Sequence, residues 1–176
     1  NCETEFISEH GTCKEAVFWF GNLKTASARR ATLLPSEATM TERSSSTAII
    51  RPPGRYLYEP DNAVIRAHLI DQIAEDLGAW KLDPQVAYLS SDCRIETYFA
   101  RCYQVVEIFP FSLKRLQNYL TAKNIGRLDI KKRRFPISSD EMRQRLKLHG
   151  EGWAIVFLTR ISERPVAVIC CPEEKS

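Results

Sequence analysis

Five cations fall within ten residues in the run Gly126-Arg127-Leu128-Asp129-Ile130-Lys131-Lys132-Arg133-Arg134-Phe135, where Asp129 is the only acid. Read as a strand over Arg127–Phe135, period two puts Leu128, Ile130, Lys132 and Arg134 on one face. Arg127, Asp129, Lys131 and Arg133 take the other. Leu128 and Ile130 must face a core, so Lys132 and Arg134 are expected where the strand leaves the layer. The open face then carries three cations and one acid. Such a surface is suited to tracking the phosphates of a polyanion such as RNA, through contacts that give affinity without reading a base. The competing reading is a solvated sheet edge, where lysine deters unwanted pairing. Lys114 and Arg115, with Lys123, Arg143, Arg145 and Lys147, add cations close by in sequence. Tyr103 and Tyr119 are candidates either to stack a base or to fill the core.

The charge distribution agrees. Between Arg101 and Lys147 there are twelve basic and four acidic residues. That window is net +8 and the rest −5, in a chain of net charge +3. Asymmetry of this kind points to a polyanionic partner more than the overall balance does. Other chemistry is missing from the sequence. The seven glycines give neither a phosphate-cradling nor a dinucleotide-binding spacing. His10, His68 and His149 include no pair one helical turn apart. The six cysteines show no Cys-x-x-Cys spacing, and adjacent Cys170 and Cys171 lie on a strand where neighbours point apart. Reduced thiols in a cytoplasmic setting are therefore expected. No apolar run approaches the ~20 residues needed to cross a bilayer, and no signal peptide is visible.

These residues need elements to hold them. Asp61 is an N-cap candidate for a helix over 62–77, with Val64, Ile65, Leu69, Ile73 and Leu77 as its apolar stripe and Gly78 as its stop. Strands are predicted over 86–89 and 101–109. Ser112 caps a helix from Leu113 to about Lys123, with Leu113, Leu116 and Leu120 inward. Ser138–Asp140 opens a third helix. Strands over 153–161 and 165–171 close the chain as an antiparallel pair. Strand, helix, strand, helix, strand, strand argues an α+β layer, with helices on one face of a largely antiparallel sheet.

The front is different. Ala16-Val17-Phe18-Trp19-Phe20 reads as a strand buried on both faces, and Ala31–Leu34 as a second. Two short strands are marginal alone, so they are expected to be the edge of a sheet whose other strands lie elsewhere. The chain opens on Asn1 rather than Met, so a piece of a longer polypeptide is expected. The serine, proline and glycine content of 42–54 marks a linker. The expected domains are thus 1–41, a linker over 42–54, and an α+β domain over 55–176.

The stretches Tyr56-Leu57-Tyr58-Glu59-Pro60-Asp61-Asn62-Ala63-Val64-Ile65-Arg66-Ala67, Pro110-Phe111-Ser112-Leu113-Lys114-Arg115-Leu116 and Gly126–Arg133 resemble the C-terminal THUMP-like domain of a bacterial family. That family is the class I S-adenosylmethionine-dependent methyltransferase-like proteins. The terminal hairpin with Leu158-Thr159-Arg160 fits as well. Gly11–Gly21 and Arg29–Pro35 resemble the last strands of that family's methyltransferase domain. The resemblance implies a THUMP-like, ferredoxin-like mixed sheet preceded by an orphan β-hairpin from a truncated Rossmann-type domain. It implies S-adenosylmethionine for the whole protein, but no cofactor-binding or catalytic residue in this chain. The expected function is an RNA-binding, substrate-positioning module using Arg127, Lys131, Lys132, Arg133, Arg134, Lys114 and Arg115. The upstream methyltransferase domain is an expected partner, and a homodimer through the front hairpin is a further one. The alternative is a structural or protein-interaction domain packed on the methyltransferase domain. Cys93–Thr97 reads as a variable insertion.

Overall fold

The computed structural model describes residues 2–43 and 47–171; the serines Ser44–Ser46 of the expected linker lie outside them. The chain forms two compact units, residues 1–53 with 57–102, and 54–56 with 103–176.

The first unit opens with a four-stranded sheet, where only a hairpin was expected. Strands β1 (Glu3–Glu9), β2 (Thr12–Trp19), β3 (Arg29–Leu34) and β4 (Ala38–Thr41) lie in the order β2-β1-β3-β4. β1 is antiparallel to β2 but parallel to β3. The periodicity of β1 hides it: its inward positions are Glu3, Glu5 and Ser8, all buried, so polar residues stand where apolar ones mark a strand. The expectation that β2 is buried on both faces is corrected. It is an edge strand, and Phe18 and Phe20 are 57% and 61% exposed.

β5 (Tyr56–Pro60) leads to α1 (Asn62–Arg66), and the Asp61 carboxylate accepts from the Ala63 N–H at 2.8 Å as the cap. The single helix expected over 62–77 is two. His68 adopts φ 58, the Leu69 N–H reaches back to the Val64 carbonyl, and α2 (Ile70–Asp76) restarts the stripe. That bond pattern is a Schellman ending, with a histidine where glycine is usual. Strands β6 (Trp80–Asp83) and β7 (Val86–Ser91) follow, in the order β6-β7-β5. Buried Tyr58 donates to the Cys93 carbonyl at 3.0 Å and accepts from the Ile95 N–H at 2.8 Å, pinning the expected insertion. Burial pushes the Tyr58 hydroxyl above its ordinary pKa.

The described part of 42–54 is tied down. Ala48 N–H donates to Asp71 at 2.7 Å, Ile50 bridges to Lys81, and Trp80 Nε1 donates to the Pro52 carbonyl at 2.8 Å. The chain passes between the compact units at residues 53/54, 56/57 and 102/103.

The second unit follows the expected order: β8 (Ala100–Pro110), α3 (Leu113–Ala122), β9 (Ile125–Lys132), α4 (Ser139–Arg145), β10 (Gly152–Ile161) and β11 (Arg164–Cys170). Ser112 and Ser138 cap the two helices through the N–H groups of Arg115 and Glu141. In the order β8-β11-β10-β9, two pairings are antiparallel and β9–β10 is parallel. Leu116 and Leu120 of α3 and Met142 of α4 share one core with Ile130, Val156, Leu158, Ala167 and Ile169. Both helices thus cover the same face. No helix is long and apolar enough to cross a membrane among the described residues.

Candidate nucleic-acid interface

Because β8, β9 and β10 run the same way, their C-terminal ends gather at one end of this sheet. The first turn of α3 and the β10–β11 turn join them there. The Phe111 N–H donates to the Pro165 carbonyl at 2.9 Å, and the Phe111 and Phe135 rings meet edge to face at 4.8 Å. The Arg133 N–H donates to the Leu158 carbonyl at 3.1 Å. Among the described residues, this frame carries Lys114, Arg115, Lys132, Arg134, Arg160 and Arg164, with Glu163 as the carboxylate paired to two of them. The Arg115 guanidinium lies over the Phe109 ring at 4.8 Å. Among the described residues, the side chains of Lys114, Arg115, Lys132 and Arg164 make no ion pair, and all four are exposed. Glu163 is held by two guanidiniums, Arg134 at 3.4 Å and Arg160 at 3.2 Å.

The structure sorts the expected site residues into three groups. Lys132 and Arg134 reach this end with Lys114 and Arg115, as the exit of a strand from its layer requires. Arg127 sits at the start of β9, about 16 Å down the strand from Lys132. Lys131 and Arg133 share their face with β10 residues Ile155, Phe157 and Thr159, all buried. That face is not open as expected: Lys131 and Arg133 are half-buried, and the Lys131 ammonium lies over the Tyr103 ring at 5.5 Å. Tyr103 is buried against Phe157, and Tyr119 lies against Phe109, so both tyrosines serve the core. On α4, Arg143 pairs with Asp140 and Asp129, and Arg145 with Glu141 at 2.6 Å, which removes these cations from the surplus. Sequence reasoning missed Arg160 and Arg164. Arg164 falls in the turn expected between the last two strands and Arg160 on the strand before it, and both lie outside the basic window along the chain.

That turn is strained. Ser162 and Glu163 both adopt left-handed backbone, φ 49 and 62, and so does nearby Arg134 at 52. A two-residue turn with two positive φ values favours Asn-Gly. The double substitution Ser162→Asn, Glu163→Gly is expected to stabilise the chain by about 1 kcal/mol, since non-glycine residues in this region cost about that each. The lost surface ion pairs subtract little. A urea midpoint that stays put or falls would show that the turn is not strained as its angles indicate.

No group of three or more His, Cys, Asp or Glu placed to hold a metal occurs among the described residues. The strand-to-helix junctions are Asp61, Phe111–Ser112 and 133–138, and none contains a glycine.

The THUMP domain-like family profile matches residues 100–172, which span the second unit's β8 to β11. The chain carries the THUMP-like domain of a methyltransferase-like family. An uncharacterized S-adenosylmethionine-dependent methyltransferase of Mycobacterium tuberculosis, in strains CDC 1551 and H37Rv, is 35% identical to it over 175 residues. That alignment covers 97% of this chain and 48% of the relative, so the chain spans about half the length of the curated relatives it matches. A crystal structure from Porphyromonas gingivalis W83, of a protein provisionally assigned as a methyltransferase, superposes with a TM-score of 0.79 at 24% identity. It covers 98% of this chain and 46% of that one, which shows the fold. The basic sheet end described above lies within the matched residues.

Proposed function

We propose that the THUMP-like domain positions RNA for a methyltransferase domain in the same polypeptide, gripping phosphates at the basic end of its sheet. One observation carries this reading: among the described residues, six cations from four elements gather at this sheet end, where Glu163 pairs with only two of them, Arg134 and Arg160. Lys114, Arg115, Lys132 and Arg134 make the contacts, and Lys131, Arg133 and Arg127 add to the field behind them. Contacts of this kind place a substrate without selecting a base. S-adenosylmethionine, the cofactor in the mycobacterial relatives' name, is bound by residues outside this chain. The exposed edge and rings of β2 support pairing with a strand of the methyltransferase domain or, in this chain alone, with a second copy. The half-burial of Lys131 and Arg133 favours a second reading, a packing module that binds no RNA.

With about four cations neutralising phosphates, log affinity should fall against log salt with a slope of about −3. Replacing Lys114, Arg115 and Lys132 together by Ala should flatten the slope by about 2 and weaken unrelated RNA sequences alike. Filter binding of a structured RNA across a salt series, triple variant beside wild type, makes the measurement. An unchanged slope returns the domain to the packing reading.

A further inference from the structure

We infer that Arg134 and Arg160 form a seat for one phosphate group, and that the Glu163 carboxylate occupies this seat until a phosphate displaces it. The inference rests on the RNA reading above and names the regulation of the same site. The two guanidiniums come from different elements: Arg134 follows β9, and Arg160 is near the end of β10. Arg134 meets Oε1 of Glu163 and Arg160 meets Oε2, so each carboxylate oxygen takes one guanidinium. Two non-bridging oxygens of a phosphodiester present the same single negative charge to the same pair of donors. Exchange is therefore charge for charge.

Glu163 is built to leave. Its side chain is 64% exposed and sits at the tip of a two-residue turn, so a rotamer change carries it into water without disturbing the sheet. The arginines are better held, with side chains 37% and 35% exposed. Arg134, Ser162 and Glu163 all adopt left-handed backbone, φ 52, 49 and 62. Arg164 and Lys132, exposed and without an ion pair among the described residues, extend the seat along a phosphate chain. An internal carboxylate in that place lowers affinity for every phosphate ligand and screens two cations from their counterions.

The test compares wild type, Glu163→Gln, and Glu163→Gln in an Arg134→Ala, Arg160→Ala background. Each is titrated with a single-stranded RNA of fixed sequence across a salt series, and separately with inorganic tripolyphosphate. Gln keeps the shape and drops the charge. Glu163→Gln should bind RNA about 3- to 10-fold more tightly, the scale of two exposed ion pairs released from competition. Its salt slope should steepen by about 1, as freed guanidiniums regain counterions. The double-arginine background should erase both gains. If wild type binds RNA and Glu163→Gln changes neither affinity nor slope, the seat is overturned while the RNA reading stands. If no RNA binds but tripolyphosphate binds Glu163→Gln more tightly than wild type, the seat stands and the RNA reading falls. Binding of neither ligand by any variant overturns both.

Discussion

Arg30→Ala is expected to destabilise the first unit by about 3–5 kcal/mol, the usual cost of leaving a buried charge without its partner. Glu3 is fully buried, and Arg30 donates to its Oε1 from Nε at 2.8 Å and again from its terminal nitrogen. The Thr25 N–H donates to Oε2 at 2.6 Å. Beside it, Glu5 accepts from Trp19 Nε1 at 2.8 Å and from the Thr32 hydroxyl at 2.5 Å, with Arg30 3.9 Å away. One guanidinium thus balances two carboxylates inside the sheet. Removing both charges of the tighter pair, as in Glu3→Gln with Arg30→Met, should recover most of the loss.

The pH dependence follows from Glu3. Desolvation pushes its carboxyl up, but the Thr25 N–H and Arg30 outweigh that and hold it below the ordinary value. A folded pKa below the unfolded one means stability that is complete above about pH 4.3 and is lost as pH falls through the folded value. Without Arg30 the desolvation cost dominates, so protonation relieves the variant. The gap between wild type and Arg30→Ala should therefore narrow on acidification. Urea unfolding followed by tryptophan fluorescence at pH 7 and pH 4 measures both effects. A loss under 1 kcal/mol at pH 7 would mean that water or rearrangement solvates Glu3.

Gly126→Ala is expected to cost the THUMP-like domain about 3 kcal/mol, at the upper end of overpacking penalties. A Cβ on Gly126 would stand 1.9 Å from the Gly150 carbonyl oxygen and 2.6 Å from its carbon, both backbone atoms that no rotamer can move. Gly150 cannot yield. Its own φ is 154, and a Cβ there would meet the Asn124 carbonyl oxygen at 2.4 Å. This bare crossing lets β10 start beside β9, with the Gly152 N–H donating to the Asn124 carbonyl at 2.9 Å. Gly78→Ala is the control: φ is 54 but nothing lies within 4 Å, so only the backbone strain of about 1 kcal/mol applies. Urea titrations of both variants, with amide exchange along β9, separate the cases. Equal losses would rule out the steric crossing as the cause.

The second unit's elements were legible because their signals are local. Ser112 and Ser138 cap the helices they precede, Leu116 and Leu120 mark the buried stripe, and Pro110 ends its strand. Signals failed where the inward residue was polar or the break fell inside an unbroken stripe. β1 buries Glu3 and Glu5, a choice that makes sense only beside Arg30, a residue 27 positions away. The stripe from Val64 to Leu77 runs on through His68, whose left-handed backbone leaves no mark in hydrophobic spacing.

For the candidate site, the sequence by itself determined that a basic strand lies beside a basic helix start, because charge and period two are properties of neighbouring residues. Tertiary structure decided which of those cations act together. Strand order brings Arg160 and Arg164 to Arg134. Parallel pairing with β10 turns Lys131 and Arg133 toward a buried face, and the α4 carboxylates neutralise Arg143 and Arg145. A charge's neighbours in space depend on how strands pair across dozens of residues, and no local pattern encodes that pairing.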